Sequence, residues 1–205
     1  HPELRTAAAL KDVAATLVPE GALAGTRPLF LSCPADWACS VINRNLLRAL
    51  GLADLFEIYE PGNRFELDTR IAEAVGRKEP MVFYYWQPNA VLAQFAFRRL
   101  DLGAYDHDAL QCLARRVCDD PRPSAFAPEP VVAALAEWVF TDAPEIAAYF
   151  ARARMPLVEM DRLLAMLSET GATPETVAAR FVGERQDVWR PWVGETMPAL
   201  APPLQ

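Results

Sequence analysis

No apolar run in this 205-residue chain approaches the ~18 residues that a membrane-spanning helix needs. There is no Lys/Arg cluster either. Acidic residues outnumber basic ones, 27 to 20, for a formal charge of −7 and a pI near 4.9, which argues against nucleic acid or an anionic membrane surface as the main partner. Histidine is scarce: His107 is the only one apart from His1. No Gly-x-Ser-x-Gly, phosphate loop or metal motif appears, and His107 lies far in sequence from the first cysteine motif and the aromatic stretch described below. A thiol nucleophile at Cys39 would need a base that the sequence does not offer. An enzyme is therefore not expected, and neither is a cofactor. His1-Pro2-Glu3-Leu4 carries no charged-then-apolar signal segment, so the chain reads as one that begins after a processing site, after further sequence or after a tag remnant. No internal repeat is present.

What remains is 52% hydrophobic and 23% charged, the balance of a soluble globular protein, with enough length for one large domain or two small lobes. The four cysteines form two local pairs, Cys33 with Cys39 and Cys112 with Cys118, each separated by five residues. Even numbers in local pairs favour two small disulfide loops and an oxidising compartment. Buried free thiols are one rival. A zinc site is another, although structural zinc sites usually pair cysteines across two to four residues.

Residues 3–17 have helical apolar spacing through Leu4, Ala8, Leu10, Val13 and Leu17. Residues 28–32 read as a strand, 40–50 as an amphipathic helix ended by Gly51, 56–59 as a strand and 68–76 as a helix. The run 81–86, Met-Val-Phe-Tyr-Tyr-Trp, reads as a buried strand that stops at Gln87-Pro88. Strand, helix, strand, helix, strand implies a parallel sheet with right-handed crossovers. A short helix is expected over 91–95 and another strand over 97–102. Residues 103–130 read as a surface excursion, with a hinge or boundary near 123–131. From 131 to 193 the pattern is almost wholly helical, with Asp142 and Thr173 as N-caps and Pro144 and Pro174 in first turns. The proline-rich tail after Met197 reads as disordered.

Two stretches place aromatic rings in loops: Trp37 between the first two cysteines, and Tyr85-Trp86 after the third strand. Neighbouring strands would bring those loops to one sheet edge, where open α/β sheets bind ligands. Facing rings attract weakly hydrated cations, and quaternary ammonium groups above all. Behind Trp37, the amides of Ala38 and Cys39 fall at a helix N-terminus, a natural donor pair for a carboxylate. The plainer reading is that these aromatics are ordinary core. Trp138 reads as core, and Trp189 and Trp192 as packing at a helix end.

The run Cys33-Pro-Ala-Asp-Trp37-Ala-Cys39, followed about fifty positions on by Phe83-Tyr84-Tyr85-Trp86-Gln87-Pro88, resembles the substrate-binding proteins of glycine betaine, choline and proline betaine ABC importers. The likeness extends to Gly51-Leu52, the Gly62-Asn63 turn, Lys78-Glu79-Pro80 and the tail ending Trp189-x-x-Trp192-Val193. It implies an α/β, type II periplasmic-binding-protein-like fold: a parallel-sheet lobe over 1–125, then a mainly helical part over 126–205 returning to the other, incomplete lobe. It further implies a secreted, extracytoplasmic protein, monomeric, that binds a quaternary ammonium ligand and meets an ABC permease. Trp37 and Trp86 would be cage walls, Tyr85 a neighbouring wall, and the Ala38 and Cys39 amides the carboxylate donors. Family members are longer at the N-terminus, where half of the first lobe and a further cage aromatic lie. This chain also carries Asp36 where many relatives have a small residue. A carboxylate there would favour a ligand of net positive charge such as choline, unless Asp36 merely caps the following helix. Arg64 would offset that charge or bind a ligand carboxylate, if it is not simply solvated.

Overall fold

A computed structural model describes residues 3–194 and divides the chain into two compact units. The first holds the residues up to Tyr85 and those from Arg98 to Glu129; the second holds Trp86–Phe97 and everything from Pro130 onward. The chain thus leaves the first unit directly after Tyr85 and re-enters it at Arg98. The proline-rich tail and His1 lie outside the described residues.

The first unit is built on three short parallel strands, β1 (Leu29–Leu31), β2 (Glu57–Tyr59) and β3 (Val82–Phe83), in the order β2-β1-β3. Phe30 pairs with Ile58 on one side and Val82 on the other; Leu31 pairs with Tyr59 and Phe83. Parallel neighbours need crossover connections, and helices supply both. The run 97–102 forms no strand, only a single bridge from Asp101 to Thr6, with Ala7 N–H donating to the Asp101 carbonyl at 2.9 Å. That bridge takes up the backbone groups of residues 5–7, so the expected N-terminal helix shrinks to α1 (Leu10–Val13) and one 3-10 turn, Ala14–Leu17.

Helix α2 (Ala38–Ala49) links β1 to β2 and α3 (Arg64–Arg77) links β2 to β3. The latter starts four residues earlier than its apolar spacing indicated, because the Asn63 side chain accepts the Glu66 N–H at 3.0 Å while the Glu66 carboxylate accepts the Gly62 N–H at 2.8 Å. A core of Leu10, Ala14, Leu17, Leu47, Leu52 and Phe56 packs against Phe30, Ile58 and Val82, which share one face of the sheet, with Leu52 and Phe56 essentially inaccessible.

Residues 103–130 are more ordered than a surface excursion. They contain α4 (His107–Leu113), capped by Asp106 accepting the Ala109 N–H, and they bury Leu113 and Cys118. α2 holds them in place: Asn45 Nδ2 donates to the carbonyls of Leu113 and Arg115 at 2.9 Å each, and Arg48 donates to the Cys118 carbonyl at 3.2 Å.

Among the described residues the second unit contains helices alone: α5 (Ala90–Gln94), α6 (Trp138–Asp142), α7 (Pro144–Arg152), α8 (Leu157–Leu167), α9 (Pro174–Glu184) and α10 (Gln186–Val193). The helical pattern expected from residue 131 becomes helix only at Trp138. Val131 and Val132 are exposed, so no packed face repays the ordering of a longer helix there. Thr173 caps α9, exchanging hydrogen bonds with Thr176, whereas Asp142 ends α6 and Ala143 takes the N-cap position of α7. The helical pattern that runs on from Pro174 breaks at Arg185, between α9 and α10, where the guanidinium binds Asp187 on one side and Glu159 of α8 on the other. Trp138 is exposed rather than core. Trp189 is buried and donates to the Val182 carbonyl at 2.8 Å, and Trp192 stacks on Phe181 with centroids 5.8 Å apart.

Candidate functional site

The first unit brings two of the three predicted aromatic positions to one sheet edge. β1 and β3 are hydrogen-bonded neighbours, and Tyr84 N–H extends the pairing by donating to the Leu31 carbonyl at 2.9 Å. The loops that leave the C-terminal ends of these two strands therefore start side by side. In the order β2-β1-β3 this is the C-terminal edge of the sheet, where open parallel sheets bind ligands.

The loop after β1 is closed by a disulfide between Cys33 and Cys39, with Cα atoms 6.3 Å apart. A second disulfide joins Cys112 and Cys118, and no described cysteine is free. The zinc and free-thiol alternatives fall with that pairing, as does Cys39 as a nucleophile. Cys33 and Pro34 are fully buried, whereas Ala35, Asp36 and Trp37 stand at the surface. Trp37 donates its backbone N–H to the Pro34 carbonyl at 3.0 Å and occupies the N-cap position of α2 in extended geometry, 37% exposed.

Tryptophan is a poor N-cap because its side chain offers no acceptor to the first turn. Among the described residues no side chain caps α2, and its first turn contains no acid. Asp36 is thus not the cap. Ala38 and Cys39 are the first two residues of α2, where backbone N–H groups have no intrahelical acceptor and the helix dipole is positive. An indole and a pair of amide donors consequently occupy one short stretch of chain. Such a pair can take a ligand with a methylated cation at one end and an oxygen acceptor at the other.

Just inside the loop, the polar groups are satisfied. Buried Asn43 donates to Ser32 Oγ at 2.9 Å, and buried Ser40 donates to Glu60 Oε1 beyond β2. Arg44 binds both Glu60 oxygens, Nε at 3.0 Å from Oε1. Burial pushes the Glu60 carboxyl up, but the Arg44 and Ser40 hydrogen bonds outweigh it and hold the group below its ordinary value.

The stretch 81–86 is a shorter and less buried strand than expected: only Val82 and Phe83 lie in the ladder, and residues 81–86 are all half-buried. Tyr84 packs on Phe126 with centroids 5.2 Å apart, and burial, reinforced by the Glu129 charge, raises its phenol above the ordinary value. Tyr85 is held by its hydroxyl, which donates to Asp68 of α3, and by an edge contact with Phe83 at 6.3 Å. Arg64 sits four residues before Asp68 and pairs with it at 3.4 Å, half exposed, in keeping with the solvated reading of that side chain. In the sequence Asp68 reads as one of several acids on a helix surface, with nothing to mark it as a partner of Tyr85.

Trp86 belongs to the second unit, with Gln87, cis-Pro88 and Asn89. Here the structure places a residue that the sequence pattern concealed, Asp161 of α8. Its carboxylate accepts the Asn89 backbone N–H at 2.5 Å and Gln87 Nε2 at 3.1 Å. The signal was an acid inside the apolar run Leu157-Val-Glu-Met-Asp161-Arg-Leu-Leu, which by itself cannot say which face is covered. In fact Glu159 and Asp161 are buried while Leu157 and Val158 are exposed. Among the described residues no group of His, Cys, Asp and Glu could hold a metal ion.

A small parallel sheet joined by helical crossovers, with a second unit that is helical among the described residues, is a periplasmic-binding-protein-like arrangement. The chain belongs to the family of substrate-binding domains of ABC-type glycine betaine transport systems, which it matches over residues 1–184. Among solved structures it resembles an ABC-transporter choline-binding protein in complex with choline, at a TM-score of 0.51 and 15% identity, covering 94% of this chain. The chain spans 58% of the length of that protein. No curated protein matches it. Among the described residues no helix is long and apolar enough to cross a membrane.

Proposed function

We propose that this protein is an extracytoplasmic solute-binding protein that captures a quaternary ammonium compound, choline, glycine betaine or a close relative, in an aromatic cage and delivers it to an ABC importer. Membership of the family supports the ligand class, and the choline-bound neighbour supports choline as its first member to test. The observation that carries the reading is Trp37, a partly exposed indole set on the uncapped N-terminus of α2, one strand away from the Tyr84-Tyr85 loop.

In this mechanism Trp37, Trp86 and Tyr85 replace the weak hydration shell of the methylated nitrogen with ring faces, each contact contributing about 1 to 2 kcal/mol once water is excluded. The Ala38 and Cys39 amides receive a ligand carboxylate or hydroxyl oxygen. Asp36 adds a negative charge beside them, which favours choline over a zwitterion. The ligand is bound and released unchanged, and two disulfides suit the oxidising compartment in which such capture takes place. Binding one ligand per monomer is the expected stoichiometry.

The test is calorimetric titration with choline, glycine betaine, carnitine and the neutral carbon isostere 3,3-dimethylbutanol, read alongside tryptophan fluorescence. Saturable binding of one or more of the cationic compounds, with none of the isostere, is the expected result. Equal binding of the isostere, or no binding and no fluorescence response to any of the four, would leave the rings as ordinary packing and the protein as an interaction or sensor domain.

A further inference from the structure

The buried carboxylate of Asp161 belongs to no described ion pair, and both of its donors are neutral: the Asn89 backbone amide at 2.5 Å and the Gln87 side-chain amide at 3.1 Å. Only 6% of Asp161 is exposed. Burying a carboxylate against neutral donors is costly, so the site is stable only while both hydrogen bonds hold. Its two donors bracket cis-Pro88 and begin one residue after Trp86.

The restraint continues past the loop. Asn89 is itself buried, and its side chain accepts the Val91 N–H at 2.8 Å, capping α5, which packs against α8. The chain from Gln87 to Val91 is therefore fastened from two directions: Asp161 grips its first part and Asn89 ties the rest into α5. With the backbone at 87 and 89 fixed, Trp86 has little freedom in where its Cα–Cβ bond can point. A hydrophobic side chain at 161 would fill the same space without gripping the loop.

We propose that Asp161 is a positioning residue for ligand capture: it sets the orientation of the Trp86 ring through Gln87 and Asn89 and does not touch the ligand. This deepens the proposed function and rests on Trp86 being a wall of the site. The direct consequence is that the charge at 161 and the ring at 86 act as one unit. Replacing Asp161 by Asn keeps the volume and one acceptor oxygen but turns a donor toward Gln87 or Asn89, so one of the two hydrogen bonds is lost.

The experiment is a double-mutant cycle on the full protein, with choline and glycine betaine affinities measured for wild type, Asp161→Asn, Gln87→Ala, Trp86→Ala and the combination of Asp161→Asn with Trp86→Ala. Asp161→Asn is expected to weaken binding about tenfold, and Gln87→Ala severalfold in the same direction. In the Trp86→Ala background Asp161→Asn should cost less than about twofold, since interacting sites are non-additive. Gln87 is exposed, so its substitution carries the test even if Asp161→Asn folds poorly. Wild-type affinity in both Asp161→Asn and Gln87→Ala overturns the inference, as does the same fold loss with and without the Trp86 ring. An unchanged affinity in Trp86→Ala alone removes the wall itself, and with it the premise on which this inference rests.

Discussion

At the scale of single residues, side chains that hold the structure differ in exposure from those that the proposed function assigns to a ligand. Trp37 is 37% exposed, whereas Trp189 is buried and hydrogen-bonded, so the two indoles have opposite expected phenotypes. Trp37→Ala should weaken choline binding about tenfold, the loss of one cation-aromatic wall, and change unfolding free energy by no more than about 1 kcal/mol. Trp189→Ala should do the reverse, with a loss of about 3 kcal/mol seen in denaturant unfolding. Asp36→Asn is expected to reduce choline affinity more than glycine betaine affinity, because only the zwitterion brings a carboxylate that Asp36 would repel. Equal losses for both ligands would show that Asp36 does not read ligand charge. Glu60 has a pH signature. Its carboxyl is held below the ordinary range in the folded state, so it contributes stability above its unfolded pKa and loses it as pH falls through the lower folded value. The stability gap between wild type and Glu60→Gln should therefore narrow on acidification, and a gap that is constant or widens from neutral pH to acid would contradict the Arg44–Glu60–Ser40 arrangement. None of these contrasts was visible in composition, since exposure and partners are set by what packs nearby.

At the scale of elements, α2 does the most. Its N-terminus carries Trp37 and the two amides, its buried face supplies Leu46 and Leu47, and its Asn45 and Arg48 hold the segment closed by the second disulfide. The first disulfide fixes where this helix begins. Each cystine closes a loop of about the same small size, worth about 2 kcal/mol by loop-closure entropy. Cys33→Ser with Cys39→Ser should thus lower stability by that order and loosen choline binding as well, while Cys112→Ser with Cys118→Ser should lower stability chiefly. Differential denaturation and titration of the two double variants would separate these effects. Element prediction succeeded where local chemistry is decisive, as at α7 and α9, whose first turns carry Pro144 and Pro174 and whose acids favour the positive end of the dipole. It failed over 97–102 and 131–137, where an apolar pattern found no partner surface long enough to organise it.

At the scale of the whole molecule, ligand and stability are linked. A compound that binds only the folded state at one hundred times its Kd should add about 2.7 kcal/mol, so choline or glycine betaine should raise the Tm measurably and 3,3-dimethylbutanol should not. The alternation of strands and helices up to residue 83, the local cysteine pairing and the aromatic motif on either side of position 85 could all be read directly, because each depends on residues near one another in sequence: periodicity, turn chemistry and loop closure over a few positions. The strand order β2-β1-β3, which sets the Cys33–Cys39 loop beside the Tyr84-Tyr85 loop, needed the tertiary structure. So did the transfer of Trp86–Phe97 to the second unit and the burial of Asp161 beneath the Trp86 loop. A helix with apolar and acidic residues on different faces can bury either one, and only the neighbours it meets decide which carboxylate gives up water for a hydrogen bond.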